Sequence, residues 1–167
     1  YEFLLELSNS NGVAYVTSDA LITHGIVPKK DEILGIINWY RTKNFKVNDI
    51  YINELFAKSY PHLIDDVGNV SGIVINEINR DNFKYFIWFR KEYCEYLNWA
   101  GNPRNILEYQ FGGRENHTVS SRKSFELYLE EIKGQSKPWS KKEQIVIKKL
   151  QNMLYEVSFS FLGKTQR

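Results

Sequence analysis

The spacing of hydrophobic residues along the chain switches between a period of two and a period of three to four. "GVAYVTSDALITHGIVP" (residues 12–28) reads as two short strands joined at Ser18-Asp19 and closed by the Gly25–Pro28 turn. From Asp31 the period changes: Ile33, Ile36, Ile37 and Tyr40 recur at helical spacing behind Asp31 and Glu32, acids that suit a helix N-terminus. "FKVNDI" (45–50) reads as another short strand. "INELFAKSYPHLIDDV" (52–67) reads as a helix or turn interrupted by Pro61.

The strongest strand signals are "VSGIVINEI" (70–78) and "FKYFIWFRK" (83–91), joined by "NRDN" as a hairpin loop. Phe86, Trp88 and Arg90 share one face, and Tyr85, Ile87 and Phe89 share the other. Two apolar faces predict a central strand covered on both sides. "EYCEYLNW" (92–99) reads as a further strand. In the last segment Ser140 and Glu143 form a capping box, with Trp139 just outside it. Ile147, Leu150, Leu154, Val157 and Phe161 then recur at heptad spacing, which suits a dimer seam or, equally, a helix packed on its own sheet. The fold expected is α/β of the α+β type: a mostly antiparallel, sensor-like sheet flanked by helices, ending in a long helix over about 141–162.

Composition supports a folded globule, since 43% of the 167 residues are hydrophobic and 15% aromatic. That length suits a single domain over residues 1–167. No apolar run approaches the ~20 residues that span a bilayer, and no secretory signal opens the chain. The start at "YEFLLEL", without methionine, is read as a piece of a longer protein. Cys94 is the single cysteine; with no internal disulfide possible, a reducing cytoplasm is the expected compartment. Without a histidine close in sequence, Cys94 reads as an ordinary thiol.

The net charge of +2 is uneven. Residues 120–167 carry ten Lys and Arg against five Asp and Glu; residues 1–119 carry twelve against fifteen. The lysine pairs at 141–142 and 148–149 lie on a helix whose other side is apolar, so a solvated helix face explains them better than nucleic acid does. The sequence holds no P-loop, no Gly-x-Gly-x-x-Gly, no metal-type Cys/His cluster and no Gly-x-Ser-x-Gly elbow. Asp65-Asp66 before a glycine reads as a loop or helix end rather than an acid/base couple. Catalysis is not expected; contact is.

Residues 104–120, "RNILEYQFGGRENHTVS", read as a hairpin arm. Leu107, Tyr109 and Phe111 alternate with Glu108 and Gln110, and Gly112-Gly113 supplies the turn. A lone hairpin is marginal in water, so its apolar face implies a partner outside the domain.

"IWFRKEYCEYLNWAGNPRN" and "SSRKSFELYLEEIKGQSKPWSKKE" resemble the PHY domain of phytochromes, bilin-based red-light receptors, and "GVAYVTSDALITHGIVPKKDEILGIINWY" resembles that domain's opening. Trp99 and Gly101 match the family's Trp-Gly/Ala-Gly motif. Arg122, Ser124 and Phe125 match its Pro-Arg-x-Ser-Phe motif, with Ser121 standing where the family has proline. The resemblance implies a GAF-like fold with a protruding "tongue" over about 99–125, reaching the chromophore-binding GAF domain of the same chain. It implies that the arginine pairs with a GAF aspartate in one photostate and the serine takes over that contact in the other, as the tongue refolds from hairpin to helix. Geometry agrees with the exchange. Residues two apart share a face in a strand but lie about 200° apart in a helix.

The function expected is therefore a non-catalytic domain. It shields a linear tetrapyrrole (biliverdin or phycocyanobilin) held by the neighbouring domain, and stabilises the photostates. It passes the signal through Ile147, Leu150, Leu154, Val157 and Phe161, as a dimer seam, to an output that is most often a histidine kinase. A homodimeric receptor is expected, with no nucleic acid or membrane partner. The alternative is a stand-alone GAF-like sensor holding a small ligand in a sheet-and-helix pocket.

Overall fold

The computed structural model of the chain describes residues 2–43, 45–46, 49–93 and 133–162, with side chains described through Glu156. Its strands are β1 (Gly12–Val16), β2 (Leu21–Gly25), β3 (Ile50–Asn53), β4 (Gly72–Asn79) and β5 (Lys84–Arg90). They form one antiparallel sheet in the order β2-β1-β5-β4-β3. Four helices accompany it among the described residues: α1 (Glu2–Ser8), α2 (Lys30–Arg41), α3 (Phe56–Ser59) and α4 (Lys141–Leu162).

β5 occupies the centre, as its two apolar faces require. Trp88 lies opposite Val13 on β1 and Val74 on β4. Strand alternation sends Tyr85, Ile87 and Phe89 to one core with Ala14, Val16, Ile73 and Ile75. There α2 lays down Ile33, Ile36, Ile37 and Tyr40, all buried. Each fully buried isoleucine contributes roughly 1.5–3 kcal/mol. The Glu32 carboxylate fixes the start of α2, accepting from the Lys29 and Asp65 backbone N–H groups at 2.7 Å each. Asp66 accepts from the Asn69 backbone and side chain at 3.2 and 2.7 Å, so the acidic pair belongs to a turn, as the sequence implied.

The opposite face gathers Val13, Val74, Ile78, Phe86 and Trp88 beneath Trp139 and Ile147, with Leu4, Leu5, Leu150 and Leu154 packed against them. Thus α1 and α4 cover this side. The capping box forms: the Ser140 N–H donates to Glu143 at 2.6 Å, and the Glu143 N–H donates to Ser140 Oγ at 3.3 Å. Ile147, at 1% exposure, closes the domain's own core together with Leu150 and Leu154. Of the two readings the stripe allows, packing on the domain's own sheet accounts for buried Ile147, while Leu150 and Leu154 stay half-buried. The physical reason is that the second sheet face carries large apolar side chains and needs a cover. Val157 and Phe161 lie on α4 beyond the described side chains.

Two other expectations shift. The strand expected at 45–50 lies at Ile50–Asn53, where Ile50, Tyr51 and Ile52 pair with Asn76, Ile75 and Val74. Phe45 instead packs its ring against Trp39, Tyr40 and Tyr51. Helix α1 was not expected at all; its seven residues are too few to stand without tertiary packing.

Candidate functional site

An arginine in register with buried Phe86 and Trp88 must bury its charge, and a buried charge needs partners. Arg90, 3% exposed, finds one for every donor. Its Nε–H donates to the Asn9 carbonyl at 2.7 Å, and Nη1 donates to the Lys137 and Pro138 carbonyls at 2.9 Å each. Nη2 lies 2.8 Å from the Ser8 carbonyl and 3.1 Å from Glu143 Oε2. Five N–H groups meet five acceptors, the full capacity of a guanidinium. The guanidinium also lies over the Trp139 ring at 4.1 Å, a cation–π contact strengthened by burial.

Burial pulls Arg90 below its ordinary pKa, while the Glu143 pair opposes that pull. For Glu143, burial alone would raise the carboxyl. The Ser140 N–H, the Asn9 side chain and Arg90 outweigh it and hold the pKa below its ordinary value.

Directly after Arg90 the chain forms a stem with residues far along the sequence. Glu92 and Ser136 make an antiparallel bridge. The Tyr93 N–H donates to the Gln135 carbonyl at 2.8 Å, and the Gly134 N–H donates to the Glu92 carboxylate at 2.6 Å. The stem is seated on the body, with the Glu92 N–H bonded to the Gly68 carbonyl and the Ser136 N–H to the Glu54 carbonyl. Gly134 holds φ +80, and a Cβ on Gly72 would meet Ser136 Oγ at 2.0 Å. Each position therefore requires glycine, one for a left-handed backbone and one for close approach. Of the strand expected at 92–99, Glu92 makes this bridge and residues 94–99 lie outside the described residues.

Trp99, Gly101, Arg122, Ser124 and Phe125, the expected contact residues, all lie outside the described residues, as does the arm at 104–120. The described residues place the two ends of that segment side by side. Arg90 and the stem residues Glu92, Gly134 and Ser136 were not singled out from the sequence. The available signal was parity: Arg90 alternates with Phe86 and Trp88 on an apolar strand face. Among the described residues no group of three or more His, Cys, Asp or Glu could hold a metal, and no helix is long and apolar enough to cross a membrane. What this site can do is mechanical: it fastens three segments together beside the stem.

Comparison with known proteins places this geometry in a family. Residues 1–161 match the phytochrome region, PHY. The chain is 31% identical over 142 residues to the phytochrome-like protein Cph1 of Synechocystis sp., covering 84% of this chain and 18% of that protein. It is 29% identical over 140 residues to cyanobacterial phytochrome B of Nostoc sp., again covering 84% and 18%. Phytochrome C of Sorghum bicolor is 26% identical over 151 residues, 90% of this chain and 13% of that protein. The fold superposes on the crystal structure of bacteriophytochrome RpBphP3 from R. palustris with a TM-score of 0.63 at 18% identity, covering 95% of this chain and 31% of that one. The chain thus spans 18% or less of these curated relatives. It belongs to the PHY family, the phytochrome region.

Proposed function

We propose that the chain is the single PHY domain of a bilin-binding receptor and that residues at about 99–125 form the tongue. The observation that supports this reading best is the stem: Tyr93 and Gln135 are hydrogen-bonded, so the residues that flank this segment lie side by side. Trp99, Gly101, Arg122, Ser124 and Phe125 contact the GAF domain of the same chain. The bilin, biliverdin or phycocyanobilin, is held there and shielded by this domain. Arg122 supports one photostate through a charged contact, and Ser124 supports the other through a hydroxyl contact. The domain performs no catalysis. It works in the cytoplasm within a homodimeric receptor and hands its change through α4 to a C-terminal output, a histidine kinase.

The test is the photocycle of the full-length receptor carrying Arg122→Ala or Ser124→Ala. Removing one partner of a buried ion pair costs about 3–5 kcal/mol, against about 1 kcal/mol for a neutral hydrogen bond. Arg122→Ala is therefore expected to disturb its photostate more strongly, and the two variants are expected to impair opposite states. Identical spectra and dark-reversion rates in wild type and both variants would contradict the assignment.

A further inference from the structure

The acceptors around Arg90 come from three separate places: Ser8 and Asn9 at the end of α1, Lys137 and Pro138 before α4, and Glu143 in the first turn of α4. Arg90 itself closes β5, two residues before Glu92 of the stem. We infer that Arg90 is the positioning residue that makes the stem, the end of α1 and the start of α4 move as one body. This deepens the reading above and rests on it.

Residues 137–140 adopt no helix or strand of their own. Left to themselves they would act as a hinge, and a displacement at Ser136 would be absorbed before reaching Lys141. The guanidinium removes that freedom by binding two consecutive carbonyls inside the segment, at Lys137 and Pro138. Trp139 is pinned twice, beneath the guanidinium and through its Nε1–H to Ser10 Oγ at 3.4 Å. Because the guanidinium is buried, no donor can be released to water one at a time; leaving any acceptor means leaving it unpaired. The joint is therefore rigid until it breaks. Lysine retains the charge but offers three donors and no planar fork, so it cannot serve five acceptors on three segments.

The experiment is amide hydrogen exchange on the full-length, bilin-loaded receptor, in darkness and after red light. Wild type is expected to show a light-dependent change at the stem (91–93 and 133–136) accompanied by one in the first turns of α4. In Arg90→Lys the stem change is expected to remain, with the dark bilin spectrum, while the α4 change is lost. Glu143→Gln provides a second variant should Arg90→Lys fail to load bilin. Glutamine still serves a capping box but leaves the buried guanidinium without its counter-charge, and the same loss at α4 is expected. A variant that keeps both changes overturns the inference and leaves the proposed function standing. A wild-type receptor whose stem changes while α4 does not also overturns it. A wild-type stem indifferent to light overturns both.

Discussion

The Asn76 carboxamide of β4 donates to the Ile147 carbonyl of α4 at 3.1 Å, across an otherwise apolar boundary. One turn further on, Gln151 donates to the Glu77 carbonyl at 2.8 Å. These two bonds fix the height of α4 on the sheet, a specification that apolar contacts alone leave loose.

The Ile147 carbonyl has its own helical partner within α4, and Asn76 Oδ1 makes no hydrogen bond among the described residues. Asn76→Leu should therefore cost under about 1 kcal/mol. Its signature should lie elsewhere, in a broadened set of α4 positions seen as line broadening of α4 amide resonances. A loss of several kcal/mol in urea unfolding would show that Asn76 carries stability rather than register.

Inward and outward isoleucines on α4 should behave differently. Ile147 is 1% exposed and Ile145 is 56% exposed. Ile147→Ala should cost about 2–5 kcal/mol, while Ile145→Ala should fall within about 0.5 kcal/mol. Urea midpoints for the two variants check this. The same reasoning makes Leu154→Glu a folding defect rather than a selective loss of signalling.

Gly72→Ala probes the seating of the stem. The new methyl would meet Ser136 Oγ at 2.0 Å and Ser136 Cβ at 2.8 Å, so the stem must lift from β4. Overpacking of this kind costs typically about 1–3 kcal/mol. The expected readout is loss of exchange protection at the Ser136 and Tyr93 amides while the β4–β5 amides stay protected. Unchanged protection at Ser136 would mean the stem sits elsewhere.

The sign of the pH dependence follows from Glu143. Its folded pKa is depressed, so it contributes stability above the ordinary glutamate range. That contribution is lost as pH falls through that range toward the folded value. The groups facing it are Arg90, the Ser140 N–H and the Asn9 side chain. Glu143→Gln should flatten the acid limb of the stability curve and lower the plateau at neutral pH. Parallel curves for wild type and variant would rule out this role.

Much of the body was legible from periodicity. Ile33, Ile36, Ile37 and Tyr40 gave α2 and its buried face, and the two-sided apolar run through Trp88 gave the central strand. The Ser140–Glu143 box gave the start of α4. Other features depended on information that spacing does not carry. A heptad stripe is the same whether it meets a second chain or a sheet; that Ile147 is buried against the face around Trp88 and Val74 shows only once the sheet is assembled. Helix α1 is shorter than the window in which a helical period shows. The stem joins Glu92 to Ser136, and no local pattern announces such a distant pair. Arg90 was visible as an oddity in an apolar alternation, but its partners are mostly backbone carbonyls, which leave no mark in sequence.

The most direct test of the central claim uses the adjacency of Tyr93 and Gln135. Replacing residues 94–132 with a short Gly-Ser turn should leave the sheet, α2 and α4 folded, because the stem already brings the two ends together. Absorption spectra of the full-length receptor so altered, loaded with bilin and followed through red light and darkness, are then decisive. The expected result is bilin binding with a far-red-absorbing state that is lost or decays far faster than in wild type. A photocycle indistinguishable from wild type would contradict the claim that this domain acts on the chromophore through that segment.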